Sequence, residues 1–308
     1  MPIVSYSILV SIIIIMIIVF LILRSVFPAR QQQQQQHQKQ KQQQQHQQQQ
    51  HQKQLQKQQK ILCIYAYYEK NKDYKTNLEY FLTHGINNHM DYIIVINGNH
   101  TFSSFPPCVR VVQRKNSGLD FDAYSHVLLE VINDTSLYTH YIFLNGSVRG
   151  PFAYRREVLD RWQDELLGLL TEEIRLVGTT INGGFPEYSI ITVHVQSQVF
   201  AMDRECLDLL IREGIFESSS GEKSKHEVIV HKEVGMSSVV LKNGWNISCL
   251  AKKLQGYDYR TASMNKTFWR DPCYKDAYFG ESLDAREILF IKTDPMRNLP
   301  IPATALPP

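Results

Sequence analysis

The sequence predicts an α/β protein, a mainly parallel sheet flanked by helices, preceded by one transmembrane helix and a disordered stalk. Three observations lead there. Short apolar runs alternate with helical patterns from Ile61 onward, residues Ile3 to Leu23 carry no charge, and residues 31–60 hold 21 Gln. Charge divides the chain at the same place. The first 60 residues contain seven Lys or Arg and no Asp or Glu, leaving 26 basic against 30 acidic residues in 61–308, a net charge of −4. The whole-chain charge of +3 therefore belongs to the N-terminal arm, which argues against a basic nucleic-acid-binding domain.

The organisation is an anchor at 1–28, a Gln-rich stalk at 29–60 and one domain at 61–308. As a helix, Ile3–Leu23 would span about 30 Å, the depth of a bilayer core. A signal peptide is the alternative, but its apolar region is usually only about 7–15 residues long. The stalk holds a single Leu, so it has no heptad seam and too little apolar surface to fold alone. Orientation signals conflict. Arg24, Arg30 and the stalk lysines favour a cytosolic domain, whereas sequons at Asn99, Asn133, Asn145, Asn246 and Asn265 favour the lumen. The five cysteines show no metal-ligand spacing, and their odd number leaves at least one unpaired within the chain.

Along the domain, Ile61–Tyr67 reads as a strand, Asn77–His84 as a helix ended by Gly85, and Tyr92–Ile96 as a second strand ending at Asn97-Gly98. Val109–Gln113 is a third strand. Phe121, Tyr124, Leu128 and Val131 follow helical spacing, and Tyr141–Leu144 is a strand before the loop Asn145-Gly146-Ser147. Arg155–Leu170 reads as one amphipathic helix, Leu176–Thr179 and Val195–Met202 as strands, and Cys206–Arg212 as a helix stopping at Gly214. In open α/β sheets ligands lie beyond the carboxyl ends of the strands, so the loops at Asn97, Asn116–Asp122 and Asn145–Ser147 are the expected site. No Gly-rich nucleotide cradle, nucleophile elbow or paired-histidine zinc motif is present.

The segment NSGLDFDAY at 116–124 resembles the N-x-G-x-D-x-x-A block of GT-A sugar-nucleotide transferases. With YIFLNGSVRGP at 141–151, HVQSQ at 194–198, VIVHKEVG at 228–235 and the tail at 277–292, it is similar to the rhamnan synthesis protein F family. That resemblance spans about Lys60 to Lys292. It implies a GT-A-like, Rossmann-like fold and glycosyl transfer from a nucleotide sugar to a glycan hydroxyl; together with the apolar span and the sequons it leads to the expectation of a Golgi or other secretory-pathway membrane and single-pass type II topology.

Residue by residue, the resemblance implies donor contacts from Asn97, Asn116, Gly118, Asp120, Asp122, Asn145 and Ser147, and acceptor contacts from His194 and Gln196. Each has a plainer reading beside it. Asn97-Gly98 also suits an ordinary turn, Asp120 and Asp122 suit the first turn of a helix, and His194 suits a satisfied structural histidine. Glu233 is the candidate base. Ile229 and Met236 put apolar neighbours on its helical face, and partial burial raises a carboxylate pKa into a range useful for proton removal. An ion pair with Lys232 is the alternative. Metal-dependent members place Asp-x-Asp where this chain has Asn145-Gly146-Ser147, a loop with only neutral oxygens. The metal ligand is left unknown, no cofactor is certain beyond the nucleotide-sugar donor as substrate, and metal-independent transfer and lost activity both stay open. The same departure leaves open a non-catalytic carbohydrate-binding or scaffold protein that retains the fold.

Overall fold

The computed structural model describes residues 60–183, 193–217, 225–261 and 271–307, together with Met16. Among these residues no helix is long and apolar enough to cross a membrane. The expected anchor and stalk lie outside the described residues, Met16 and Lys60 excepted.

A seven-stranded sheet carries the domain. Its strands are β1 (Ile61–Tyr67), β2 (Asp91–Asn97), β3 (Val109–Arg114), β4 (His140–Asn145), β6 (Ile174–Gly178), β9 (Val199–Asp203) and β10 (Asn246–Cys249), in the order β10-β6-β9-β4-β1-β2-β3. All contacts are parallel except those of β9, which runs antiparallel to β4 and β6. The expected mainly parallel sheet with flanking helices is therefore present. All seven residues of β1 are buried, as suits a central parallel strand covered on both faces.

Each face is sealed by aromatic rings. On one, Phe143 of β4 stacks on Phe200 of β9 at 4.7 Å and meets Phe216 at 5.4 Å and Tyr124 at 5.0 Å. Tyr124 belongs to α2 (Leu119–His126), which continues as a π-helical turn over Val127–Val131. On the other face Tyr65 meets Phe81 at 5.0 Å, and Phe81, Trp162 and Phe290 lie within 5.1–6.4 Å of one another. Full burial of one such ring contributes about 2–3 kcal/mol.

The first helix, α1 (Lys72–His84), begins five residues before the apolar pattern does. Asn71 caps it, its side-chain oxygen accepting from the Tyr74 amide at 3.1 Å. Gly85 closes it in a right-handed conformation, and glycine is needed there because a Cβ would overlap the Phe81 ring. The expected single helix over Arg155–Leu170 is instead two, α3 (Arg156–Asp160) and α4 (Trp162–Leu167), broken at a non-helical Arg161. The fully buried Trp162 donates its indole N–H to the Gly85 carbonyl at 2.8 Å, a tertiary anchor beside the break.

Val195–Met202 is likewise not one strand. Its first part, β8 (His194–Val195), pairs with β7 (Ile181–Asn182), and the Gln196–Gln198 turn separates it from β9. Helix α5 (Arg204–Arg212) follows β9, capped by Asp203. A later helical run comprises α6 (Lys225–Val228), a π-helical stretch over Ile229–Val234 and α7 (Gly235–Lys242). Near the C-terminus, α8 (Ala285–Ile288) leads to β11 (Ile291–Lys292), which pairs antiparallel with β5 (Val148–Arg149).

Candidate active site at the carboxyl ends of the strands

The chain reverses its direction of travel across the sheet between β1 and β4. From β1 it moves outward through β2 and β3, then returns to β4 on β1's other side. A ligand crevice forms where strand order switches in this way. Asn145 ends β4 there, in register with Ala66 of β1.

Asn145 is the hub of this end. Its Nδ2 donates to Asp120 Oδ2 at 2.7 Å and to the Ser197 carbonyl at 3.4 Å. Its Oδ1 accepts from the Ser147 amide at 3.1 Å and the Ser147 hydroxyl at 2.5 Å, folding the loop as an Asx-type turn. The Ser197 amide in turn donates to Glu233 Oε1 at 2.8 Å. Four predicted residues, Asp120, Asn145, Ser147 and Glu233, are thus joined through Ser197. Glycine is required at 146 because a Cβ would come within 2.8 Å of the Tyr74 ring.

Electrostatics mark the same cluster. Burial pushes the Asp120 carboxyl above its ordinary pKa and the nearby Glu233 carboxylate pushes the same way, against the Asn145 hydrogen bond, which lowers it. Burial also raises the Tyr74 phenol, with Asp120 and Asp294 contributing. Glu233 lies half-buried in the π-helical stretch, not on the regular α-helical face its spacing suggested. Such turns recur at functional sites because the extra residue re-aims a side chain. Lys232 turns to another task, donating its ammonium to the Gly214 and Glu217 carbonyls at 2.8 and 3.1 Å.

A second group forms the rim at β2 and β3. Arg114 donates to Asn97 Oδ1 at 2.8 Å and to the Ser117 carbonyl and hydroxyl at 3.1 Å. Asn116 is exposed, and its Cβ lies 3.5 Å from where a Cβ on Gly98 would sit. Gly118 caps α2 with φ +65°, and a Cβ there would overlap the Asp122 carboxylate, which folds back over the helix start. Arg114 carries no sequence signature of its own, although it stands just before the NSG block at a strand end. Burial lowers its pKa while Asp122 acts in the opposite direction.

His194 and Gln196 do not join the cluster. His194 is buried in β8 opposite Asn182. Gln196 is buried, accepts from the Thr180 hydroxyl at 2.6 Å and the Cys273 thiol at 3.1 Å, and donates to Asp271 Oδ1 at 3.0 Å. Asp271 also accepts from Arg297 at 2.6 Å. Gln196 and Asp271 tie the C-terminal segment to the turn bearing Ser197.

Among the described residues, Asp120 and Asp122 are not set to hold a divalent cation together. Asp120 and Asp122 stand two apart on a helix and face different ways, one to Asn145 and one to Gly118. Asn145-Gly146-Ser147 supplies only neutral oxygens. Among the described residues no group of three or more His, Cys, Asp or Glu is arranged to hold a metal ion.

No family model matches the chain, and no curated protein matches it. Among solved structures it is similar to a mannosyltransferase of Pyrobaculum calidifontis in complex with GDP-Man and Mn2+, with 12% identity, TM-score 0.38, and coverage of 62% of this chain and 54% of that one. It is also similar to a glycosyltransferase involved in glycosylation of the major capsid of PBCV-1, with 10% identity, TM-score 0.37, and coverage of 78% and 96%. A third is the glycosyltransferase GlyE of Streptococcus pneumoniae, with 12% identity, TM-score 0.34, and coverage of 62% and 45%. The chain spans about half the length of the first and third.

Proposed function

We propose that residues 61–308 form a GT-A-like glycosyltransferase of the rhamnan synthesis F type, moving a sugar from a nucleotide-sugar donor to a glycan hydroxyl. The observation that carries this is the linkage of Asp120, Asn145, Ser147 and Glu233 through Ser197 at the switch point of the sheet. Sequence blocks read separately meet at one place, beyond the strand ends.

In this reading the nucleoside lies along the rim of Asn97, Asn116 and Gly118, and the diphosphate-sugar crosses toward Asp120 and Ser147. Ser197 holds Glu233 Oε1, leaving Oε2 to take a proton. As the acceptor oxygen bonds to the anomeric carbon, its proton passes to Glu233 and the bond to the diphosphate breaks. Asn145 acts by fixing Asp120 and the 145–147 turn, since its amide is already engaged. Residues 3–23 anchor the domain to a Golgi or other secretory-pathway membrane, with the domain in the lumen.

A second reading is a non-catalytic carbohydrate-binding protein that retains the fold. It is favoured by the internal engagement of Asn145 and by the carboxylate-free loop. A panel of nucleotide sugars titrated calorimetrically into the full chain, followed by transfer assays on any donor that binds, separates the two. Binding with turnover supports the transferase, binding without turnover supports the second reading, and no binding overturns the transferase.

A further inference from the structure

We propose that Arg149, Arg286 and Tyr80 form a site for a phosphate-type oxyanion, beneath residues 304–306 and separate from the strand-end cluster. Two enclosed polar atoms point to it. The Tyr80 hydroxyl and Arg286 Nε are shielded from solvent and have no hydrogen-bond partner among the described residues. Enclosed polar groups are nearly always satisfied, so two such atoms beside one stretch of chain call for a hydrogen-bonding partner.

Both groups reach the same stretch of chain. Tyr80 packs against the small apolar cluster of Ala153, Leu159 and Ala305, with Leu306 beside it. Arg286 donates through Nη2 to the Thr304 carbonyl at 3.4 Å. The Tyr80 ring is fixed from its other sides by Phe152 at 5.0 Å and His84 at 4.5 Å. Arg149 comes from the sheet side, its Nε donating at 3.0 Å to Asn77, one turn before Tyr80 on α1. Both arginines act electrostatically on the Tyr80 phenol.

Charge decides what fits. Among the described residues neither Arg149 nor Arg286 has a carboxylate within ion-pair distance. The nearest acid on α8's own start, Asp284, is occupied by the Tyr154 hydroxyl and by capping that helix. Guanidinium groups only donate, and the phenol completes the donor set, so the missing ligand accepts hydrogen bonds and carries negative charge. A single water would satisfy the orphaned atoms but leave two half-enclosed cations unpaired. A tetrahedral oxyanion meets both requirements, and planar guanidinium groups bind it through paired N–H donors.

The test is titration of the full chain with inorganic phosphate, followed by calorimetry and phosphorus NMR. Saturable binding is expected, weakened at least about tenfold by Arg149→Gln or Arg286→Gln, and several-fold by Tyr80→Phe, which removes a single oxygen and so preserves the fold. Methyl phosphate is the second probe: equal affinity identifies the free ion as occupant, and tighter binding identifies an oxyanion carried on a larger molecule. Asp120→Asn and Ser147→Ala, at the strand-end cluster, leave phosphate binding unchanged. The site is overturned if phosphate fails to bind, if Tyr80→Phe and the arginine variants bind it as the parent does, or if only the strand-end variants lose it.

Discussion

Asn145 Nδ2 donates to Asp120 Oδ2 at 2.7 Å across 25 positions of sequence, joining the end of β4 to the start of α2. The amide stands where metal-dependent transferases of the resembled class carry a carboxylate. Its hydrogen bond opposes the rise in pKa that burial imposes on the partly buried Asp120.

That bond makes Asn145→Asp informative. The substitution sets a second carboxylate against Asp120 and removes a hydrogen bond to a charged group, a loss of about 1.5–3 kcal/mol. Chemical denaturation at neutral pH should show that loss. Added Mn2+ should restore stability to this variant and leave the parent unmoved. A variant as stable as the parent would show that the two side chains are not coupled.

Glu233→Gln keeps an oxygen for the Ser197 amide and removes the proton acceptor. Turnover on whichever donor binds should fall by about 10²–10⁴-fold with donor affinity nearly unchanged. Undiminished turnover would exclude Glu233 as the base and leave the fold untouched.

Two enclosed acids should give opposite pH signatures. Asp120 has a raised folded pKa, so the folded state holds its proton more tightly and stability falls as pH rises through the window above the ordinary carboxylate value. Asp120→Asn should therefore raise Tm at pH 7 relative to the parent, the gain vanishing in acid. Asp271 is the reverse: burial raises its pKa, but Lys292 and Arg297 outweigh it, and the net direction is down. Its stabilisation is present above the ordinary carboxylate pKa and is lost as pH falls through the folded value. Asp271→Asn should lower Tm at pH 7 and converge on the parent in acid. Thermal melts from pH 3 to 8 decide both, and parallel curves for the two variants would contradict the assignment.

The proposed lumenal placement bears on sugar attachment. Asn99 and Asn133 are exposed, whereas both amide atoms of Asn246 are bonded, to the Tyr257 carbonyl at 2.9 Å and the Tyr259 amide at 3.0 Å. Chain made in a secretory host should lose glycosidase-sensitive mass on Asn99→Gln and Asn133→Gln, and none on Asn246→Gln. A chain without attached glycan would overturn the lumenal assignment.

The buried strands were legible because central parallel strands are apolar on both faces: Ile61–Tyr67 was read with its observed bounds. Elements set by distant partners were not. The break at Arg161 accompanies a contact from Trp162 to Gly85, 77 positions away, and the turn within Val195–Met202 is held by Gln196 bonding Asp271, 75 positions away. Periodicity carries no trace of either. The strand-end residues stand out in the sequence through the resemblance, because they lie in its short blocks. Ser197, which connects them through its backbone, leaves no signature in a side-chain pattern. Arg114 and Asn71 act at a strand end and a helix start, positions whose importance only the neighbouring loop makes visible.

Asn77 has a consequence for how the protein comes into being. This one buried amide donates to the Gly146 carbonyl at 2.9 Å and the Thr293 hydroxyl at 2.7 Å, and accepts from Arg149 at 3.0 Å. Its partners lie 69, 216 and 72 positions further along the chain. A ribosome adding about 5–20 residues per second needs roughly 10–40 s to travel from Asn77 to Thr293. Throughout that interval β1 and β2 are available to pair, while the loop after β4 lacks both its β11 partner and the Thr293 hydroxyl. The strand-end cluster proposed to be catalytic is thus the last part of the nascent domain to close, and a ribosome stalled before Thr293 would display a sheet whose carboxyl edge is unfinished.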